Sequence, residues 1–241
     1  MEPAIILVRP QLGMNIGMVA RAMANFGLSD LRLVAPRDGW PNPDAGPPAA
    51  GADHVLDRAR LFPSVGEALA DCNLTYATAF RPRDLLKPVM APRAAVAEMR
   101  ASSGKAGILF GPERSGLATE DLVSVQTMVT IPADPGFASL NLAQAVLVLA
   151  YEWHVAEAVA PLSPERVPAP HADLAGLLAQ LNAALAETGY FFPPQRTRAT
   201  QRTLAGIFAA ARFTADEIRT LRGVIRALAR SRTDGPSRRA G

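Results

Sequence analysis

Short apolar runs alternate with amphipathic stretches over the first two thirds of the chain, and this alternation predicts strands and helices in turn. Ala4–Val8 is an apolar run that predicts a buried strand. Asn15 then opens the helical stretch IGMVARAMANF and Gly27 closes it, a good N-cap residue and a good residue just past a helix end. Leu31–Val34 predicts the next strand, and the stretch 36–50, with five prolines, predicts a loop. A short helix is expected at 64–71, a strand at Leu74–Thr78, and a helix at 91–101 with Pro92 near its start. Strands at 107–110 and 128–131 follow, the first running into the turn Gly111-Pro112 and the second stopped by Pro132.

Strands and helices alternating at this spacing predict a mainly parallel sheet covered by helices, an α/β fold. The stretch 140–159 predicts a long helix, apolar over most of its circumference, which must be buried in the core or against another subunit. Residues 161–170 hold four prolines and predict a linker between a body at 1–160 and a helical extension at 171–241. In the extension, Leu174, Leu177, Leu178, Leu181 and Leu185 recur at helical spacing up to Gly189. Two more helices are expected at 202–212 and 215–230, with Thr214 capping the second, and a frayed tail at 231–241.

Composition narrows the class. Over 241 residues, 49% are hydrophobic, which supports a proper core and excludes a disordered chain, while 6% aromatic makes that core mostly aliphatic. A single cysteine, Cys72, excludes an internal disulfide and a cysteine-based zinc site. His54, His154 and His171 are scattered without ligand spacing, so no metal is expected. The N-terminus lacks the basic region of a signal peptide, and no apolar stretch approaches the ~20 residues of a membrane span. A reducing, cytoplasmic setting is expected.

The charge is unevenly placed. Residues 1–160 carry 13 basic and 16 acidic side chains, whereas 193–241 carry 11 and 3. Arg219, Arg222, Arg226 and Arg230 recur every three or four residues, along one helical face. Such a stripe can track a phosphate backbone, and it predicts a polyanion partner. Arginines outnumber lysines 23 to 2, and a bias of that kind also produces merely solvated helix faces.

Neither GxGxxG after the first strand nor GxxxxGK[ST] nor GxSxG is present, so a dinucleotide site, a P-loop and an α/β-hydrolase nucleophile are excluded. Polar residues cluster in three other places. In Asn15-Ile16-Gly17-Met18-Val19-Ala20-Arg21, an arginine on the inner part of an apolar helix calls for an anion such as phosphate. The alternative is a capping Asn15 and a surface Arg21. Gly111-Pro112-Glu113-Arg114-Ser115-Gly116-Leu117 lies directly after a strand, where open α/β sheets bind ligands. There Glu113 and Arg114 form either part of a site or an exposed ion pair. Ser139 and Asn141 lead into the most apolar helix, as functional groups or as caps.

Taken together, in this order and at these separations, the three clusters resemble the motifs of the SpoU/TrmH family of RNA 2′-O-methyltransferases, within the SPOUT superfamily. The resemblance covers about residues 3–157. The extension, with GYFFP and LRGVIRAL, resembles the TrmJ branch, which methylates C or U at nucleotide 32 of the tRNA anticodon loop. It implies a sheet whose C-terminal segment forms a deep trefoil knot, and a homodimer through the helix at 140–159. It implies S-adenosyl-L-methionine bound by Thr78, Ala79, Phe80, Gly111, Ile131, Ala138, Ser139 and Leu140. Arg21 takes the family's catalytic role, which we read as positioning and charge stabilisation, because a guanidinium hardly deprotonates. Glu113, Ser139 and Asn141 would orient Arg21, the ribose and the cofactor, Asn15 would hold the nucleotide, and Arg114 would contact RNA or support the site. Other readings are a 2′-O-methyltransferase of rRNA or another tRNA position, and a non-catalytic RNA-binding protein with the same fold.

Overall fold

The computed structural model describes residues 1–79, 87–156 and 167–233. Strand β1 (Ala4–Val8) leads into helix α1 (Gly13–Ala24) and β2 (Leu31–Val34). A 3-10 turn at Pro43–Ala45 and the short helices α2 (Gly46–Ala49) and α3 (Asp53–Asp57) precede β3 (Arg60–Phe62), α4 (Val65–Ala68) and β4 (Leu74–Thr78). The body continues through β5 (Val89–Met90), α5 (Pro92–Ala101), β6 (Ala106–Phe110), α6 (Thr119–Val123), β7 (Thr127–Val129) and α7 (Leu142–Val155). The extension comprises α8 (His171–Glu187), α9 (Thr197–Ala210) and α10 (Ala215–Thr233).

The strands form one sheet in the order β3-β2-β1-β6-β4-β7-β5, and every neighbouring pair is parallel. β1 pairs with β2 from Ile5 opposite Leu31, and with β6 from Ala4 opposite Gly107. Alternate residues of β1 feed different cores. Ile5 and Leu7 pack with α1, α5 and α7, while Ala4, Ile6 and Val8 pack with α4 and α6. Burial on both faces is why β1 reads as a continuous apolar run.

Three expectations are corrected. Asn15 is not the cap of α1. The helix begins two residues earlier, after extended Leu12, and Asn15 is buried on its inner face. The stretch 36–50 is not simply loop, because Asn42 caps a 3-10 turn by accepting from the Asp44 N–H (3.0 Å) and a helical turn follows. The helix expected at 140–159 begins at Leu142 and runs to Val155. β3 and β5, with three and two residues, carry no readable period. Of the proline-rich stretch, 161–166 lie outside the described residues, as does the tail from 234.

The remaining end of that stretch is fixed to the body. Asn73 Nδ2 donates to the Pro168 carbonyl (2.8 Å), and the His171 N–H to the Cys72 carbonyl (2.9 Å). The extension builds its own small core from Ala169, Leu174, Leu177, Ala209 and Ile218. Thr214 caps α10 as expected, accepting from the Glu217 N–H (3.3 Å) while its own N–H donates to Glu217 (2.8 Å). Arg212, at the end of α9, reaches back to Glu98 of α5 and to the Thr127 hydroxyl of β7 (2.6 Å).

Near the N-terminal edge of the sheet lies a buried cation. Arg32 of β2 is 1% exposed and donates to Asp30 (2.8 Å), Asp71 (2.5 Å) and the Ala68 carbonyl (2.6 Å), with Lys105 bridging both carboxylates. Burial alone would raise these carboxyl pKa values. The hydrogen bonds from Arg32 and Lys105 outweigh it and hold both well below the usual carboxylate range. Their contribution to stability is therefore complete above the unfolded carboxyl value of about 3.9 and is lost as pH falls below it. Asp30→Asn should cost about 3 kcal/mol at pH 7, because it leaves buried Arg32 short of a counter-charge. In urea melts, the gap between this variant and the parent should narrow as the pH drops below 4.

Candidate active site

Because all strands are parallel, the loops that follow them emerge at one edge, and a cavity of about 530 Å³ opens there. Its walls come from Thr78 and Ala79 after β4, 111–117 after β6, Ile131 after β7, and 138–140 with Leu142 and Ala145 at the start of α7. The loop at 111–117 doubles back on itself. The Gly116 N–H donates to the Pro112 carbonyl (2.9 Å), and Gly116 takes a left-handed conformation (φ 64°). A Cβ on Gly111 would lie 2.3 Å from the Leu117 nitrogen, so the turn closes only on a bare backbone.

Glu113 ties this loop to the start of α1. Its carboxylate accepts from Asn15 Nδ2 (2.5 Å) and from the Gln11 N–H (3.0 Å). Buried Asn15 thus serves as a donor to a carboxylate 98 residues away. The helix carrying it packs closely. A Cβ on Gly17 would lie 2.0 Å from the Ala45 carbonyl oxygen, so α1 presses directly on the 43–49 segment. A second carboxylate, on buried Asp121, accepts from Arg9 Nη1 (3.1 Å) and from the Ala118 N–H (2.8 Å). The hydrogen bond that Arg9 donates to Asp121 raises the Arg9 pKa against the opposing effect of burial.

Of the eight residues expected to hold a cofactor, Thr78, Ala79, Gly111, Ile131, Ala138, Ser139 and Leu140 line this cavity, and Phe80 lies outside the described residues. Glu113 and Arg114 line it as well. The Thr78 hydroxyl donates to the Leu109 carbonyl (3.1 Å), so that side chain braces β4 against β6. Asn141 is the cap of α7: its side chain accepts from the Ala143 N–H (2.9 Å), and Gln144 accepts from its backbone (3.1 Å). Ser139 stays exposed on the loop before it.

Arg21 is not on the inner part of its helix. The buried stripe of α1 takes Asn15, Ile16, Val19, Ala22 and Met23, which leaves Met14, Arg21 and Asn25 facing outward. Glu113 is engaged by Asn15 and Gln11 and does not meet Arg21 within the chain. Arg219, Arg222 and Arg226 are exposed on α10, but each has a local partner: Asp216, Gln180 and the Arg222 carbonyl respectively. The Arg230 side chain lies outside the described residues. Sequence reading missed the Arg9–Asp121 pair. An arginine directly after the first strand, at the ligand edge of a parallel sheet, was the available signal. Among the described residues, no group of His, Cys, Asp and Glu is placed to hold a metal ion, and no helix is long and apolar enough to cross a membrane.

Residues 2–151 match the model of the SpoU rRNA methylase family. The chain is 35% identical over 238 residues to the tRNA (cytidine/uridine/adenosine-2′-O-)-methyltransferase TrmJ of Pseudomonas aeruginosa, covering 92% of this chain and 91% of that one. Among solved structures, TrmJ from Z. mobilis is 53% identical with a TM-score of 0.88, covering 95% of this chain and 99% of the other. A structure described by its 2′-OH methylation of C/U34 on tRNA is 30% identical with a TM-score of 0.50, and it covers 62% of this chain and 92% of its own.

The tight turn after β6 can be tested directly. Gly111→Ala forces a Cβ against backbone that has no room to move, so it should destabilise the chain by about 1–3 kcal/mol, as overpacking does. Gly46→Ala, where a Cβ meets nothing within 4 Å, is the control and should leave the urea midpoint nearly unchanged.

Proposed function

The chain belongs to the SpoU rRNA methylase family, and from that premise we propose that it methylates a ribose 2′-oxygen of tRNA with S-adenosylmethionine as methyl donor, at C or U in position 32 of the anticodon loop. The observation that carries this reading is the cavity itself. It gathers stretches 78–79, 111–117 and 138–140, far apart in the chain, around one space at the ligand edge of the sheet. Its volume falls within the ~300–1,000 Å³ of small-molecule sites. Val129, Ile131, Leu140 and Leu142 offer apolar walls for a nucleobase, and bare Gly111 lets backbone groups approach a ligand closely. When bound, the sulfonium of S-adenosylmethionine supplies the methyl group.

The chain's own task is to align the acceptor ribose and manage its proton. Glu113, on the cavity wall, accepts from the buried Asn15 amide, which braces the carboxylate from behind rather than lining the cavity. Ser139 stands exposed on the cavity wall to orient the ribose. Arg21, with no ion pair among the described residues, is available to a substrate phosphate and to charge developing on the attacking oxygen. Position 32 is favoured over 34 because TrmJ from Z. mobilis matches body and extension together, whereas the C/U34 structure matches 62% of the chain. The threaded C-terminal path and the division into body, linker and extension belong to the same reading. Nucleoside mass spectrometry of tRNA treated with the protein and S-adenosylmethionine, followed by fragment mapping, tests it. Unmodified position 32 alongside a methylated nucleotide elsewhere would overturn the position. Arg21→Ala should lower kcat at least a hundredfold while leaving S-adenosylmethionine affinity within twofold. Near-parental turnover in a radiolabel assay would remove Arg21 from the mechanism.

The same reading places a homodimer on α7. Leu147, Tyr151 and Val155 are exposed along it, and Tyr151 packs edge-on against Phe26 (5.8 Å between centroids). Leu147→Asp should convert a dimer to folded monomers, because this side chain is not part of the internal core. Sedimentation checks the mass, and circular dichroism checks the fold.

A further inference from the structure

The turn between α8 and α9 carries three consecutive aromatic residues, and the core does not use all of them. Phe192 is 83% exposed and Tyr190 is exposed beside it, while Phe191 is half-buried and meets Tyr190 edge-on (5.6 Å). The turn is nonetheless held in place. The Tyr190 N–H donates to the Leu185 carbonyl (3.2 Å), and the Thr197 hydroxyl donates to the Phe191 carbonyl (3.3 Å). Tyr190 and Phe192 therefore stand in solvent on an ordered backbone, which lowers the entropy lost when something lies against them.

Its position follows from how α9 is anchored. At one end Arg212 grips Glu98 and Thr127, the latter at the start of β7 and so at the sheet edge away from the cavity. Midway, Arg202 pairs with Glu120 (2.6 Å) in the first turn of α6, three residues beyond Leu117 of the cavity wall. The helix therefore runs toward the cavity edge, and its first residue lies about 7 Å past Arg202 at ~1.5 Å per residue. The aromatic turn sits beyond that. The chain around it is cationic: among the described residues Arg196 and Arg198 are exposed without an ion pair, and no acidic residue occurs in sequence between Glu187 and Asp216.

We propose that the Tyr190–Phe192 turn is a stacking platform for an unpaired base of the RNA near the methylated ribose, with Arg196 and Arg198 on its flanking phosphates. Aromatic faces beside arginines suit single-stranded nucleic acid, because every base has a π-face and every linkage a charge. The lack of any carboxylate in the stretch 188–215 fits a polyanion. This rests on the reading of the chain as a tRNA 2′-O-methyltransferase.

The test uses the full-length protein with Phe192 changed to Ala, Leu or Trp, substitutions at a side chain the fold does not bury. F192A should raise KM for tRNA about tenfold, the size of one lost base stack, with kcat and S-adenosylmethionine affinity within twofold. F192W should restore KM and F192L should not. An anticodon-loop hairpin RNA should quench the F192W indole, and a fully paired duplex of the same length should not. Equal rescue by Leu and Trp, an unchanged KM in F192A, or a shift of oligomeric state in F192A would each overturn the platform, the last by assigning the turn to a subunit contact. If the parent protein transfers no methyl group to tRNA, the reading of the active site fails, and loop-dependent quenching still decides the platform.

Discussion

In an all-parallel sheet every strand ends at the same edge, and that constraint decides where this chain places its chemistry. The order β3-β2-β1-β6-β4-β7-β5 sets β6, β4 and β7 side by side, so the loops after them meet around one cavity. It also sets β1 next to β6, which brings Gln11 and Asn15 to Glu113 across roughly a hundred residues of sequence. Nothing in the spacing of these residues requires the contact. The strand order does.

The opposite edge is closed by charge. Arg32 and Lys105 are fixed there against Asp30 and Asp71, and Arg212 against Glu98 and Thr127. Buried ion pairs of this kind are retained at little net gain over an apolar core, but breaking one is costly, so they penalise alternative packings. Arg212 comes from the extension, and with the bond that the Pro168 carbonyl accepts and the one that the His171 N–H donates, it docks that extension on the body along several independent lines. The extension is thus held at an angle fixed by the same sheet edge, and α9 becomes a strut from the closed edge toward the open one.

The fold was legible wherever burial was two-sided. β1 and β6 are continuous apolar runs because both faces are covered, and together with β2 and β4, where Arg32 and Thr75 interrupt the run, they were read nearly to the residue. β3 and β5 were invisible because two or three partly exposed residues carry no period. At the site, residue types were legible and partners were not. Asn15 has the right chemistry for a cap, yet it is used as a donor to Glu113, because α1 begins earlier on extended Leu12. Asn141 has the same chemistry and is a cap. Two asparagines in similar sequence settings differ through a tertiary contact alone. Arg21 was placed inward by its apolar neighbours, whereas helical phase turns it outward between Met14 and Asn25. Periodicity held the answer there, and residue composition obscured it.

The outward position of Arg21 bears on how a proton leaves the ribose. Among the described residues lining the cavity, Glu113 and Arg114 are the charged side chains, and Glu113 is already bound to two donors. Cys72 is remote, beside Arg32, and burial pushes its thiol up to about 12. Among the described residues, the cavity therefore gathers no group suited to abstract the proton in advance. A hydroxyl becomes strongly acidic as its oxygen bonds to an incoming methyl, so the proton can depart late, to solvent at an exposed rim. What the protein must supply is alignment, together with positive charge that does not itself ionise. On the proposed reading, the guanidinium of Arg21, without an ion pair among the described residues, meets that need, and it faces the solvent through which a polyanionic substrate arrives.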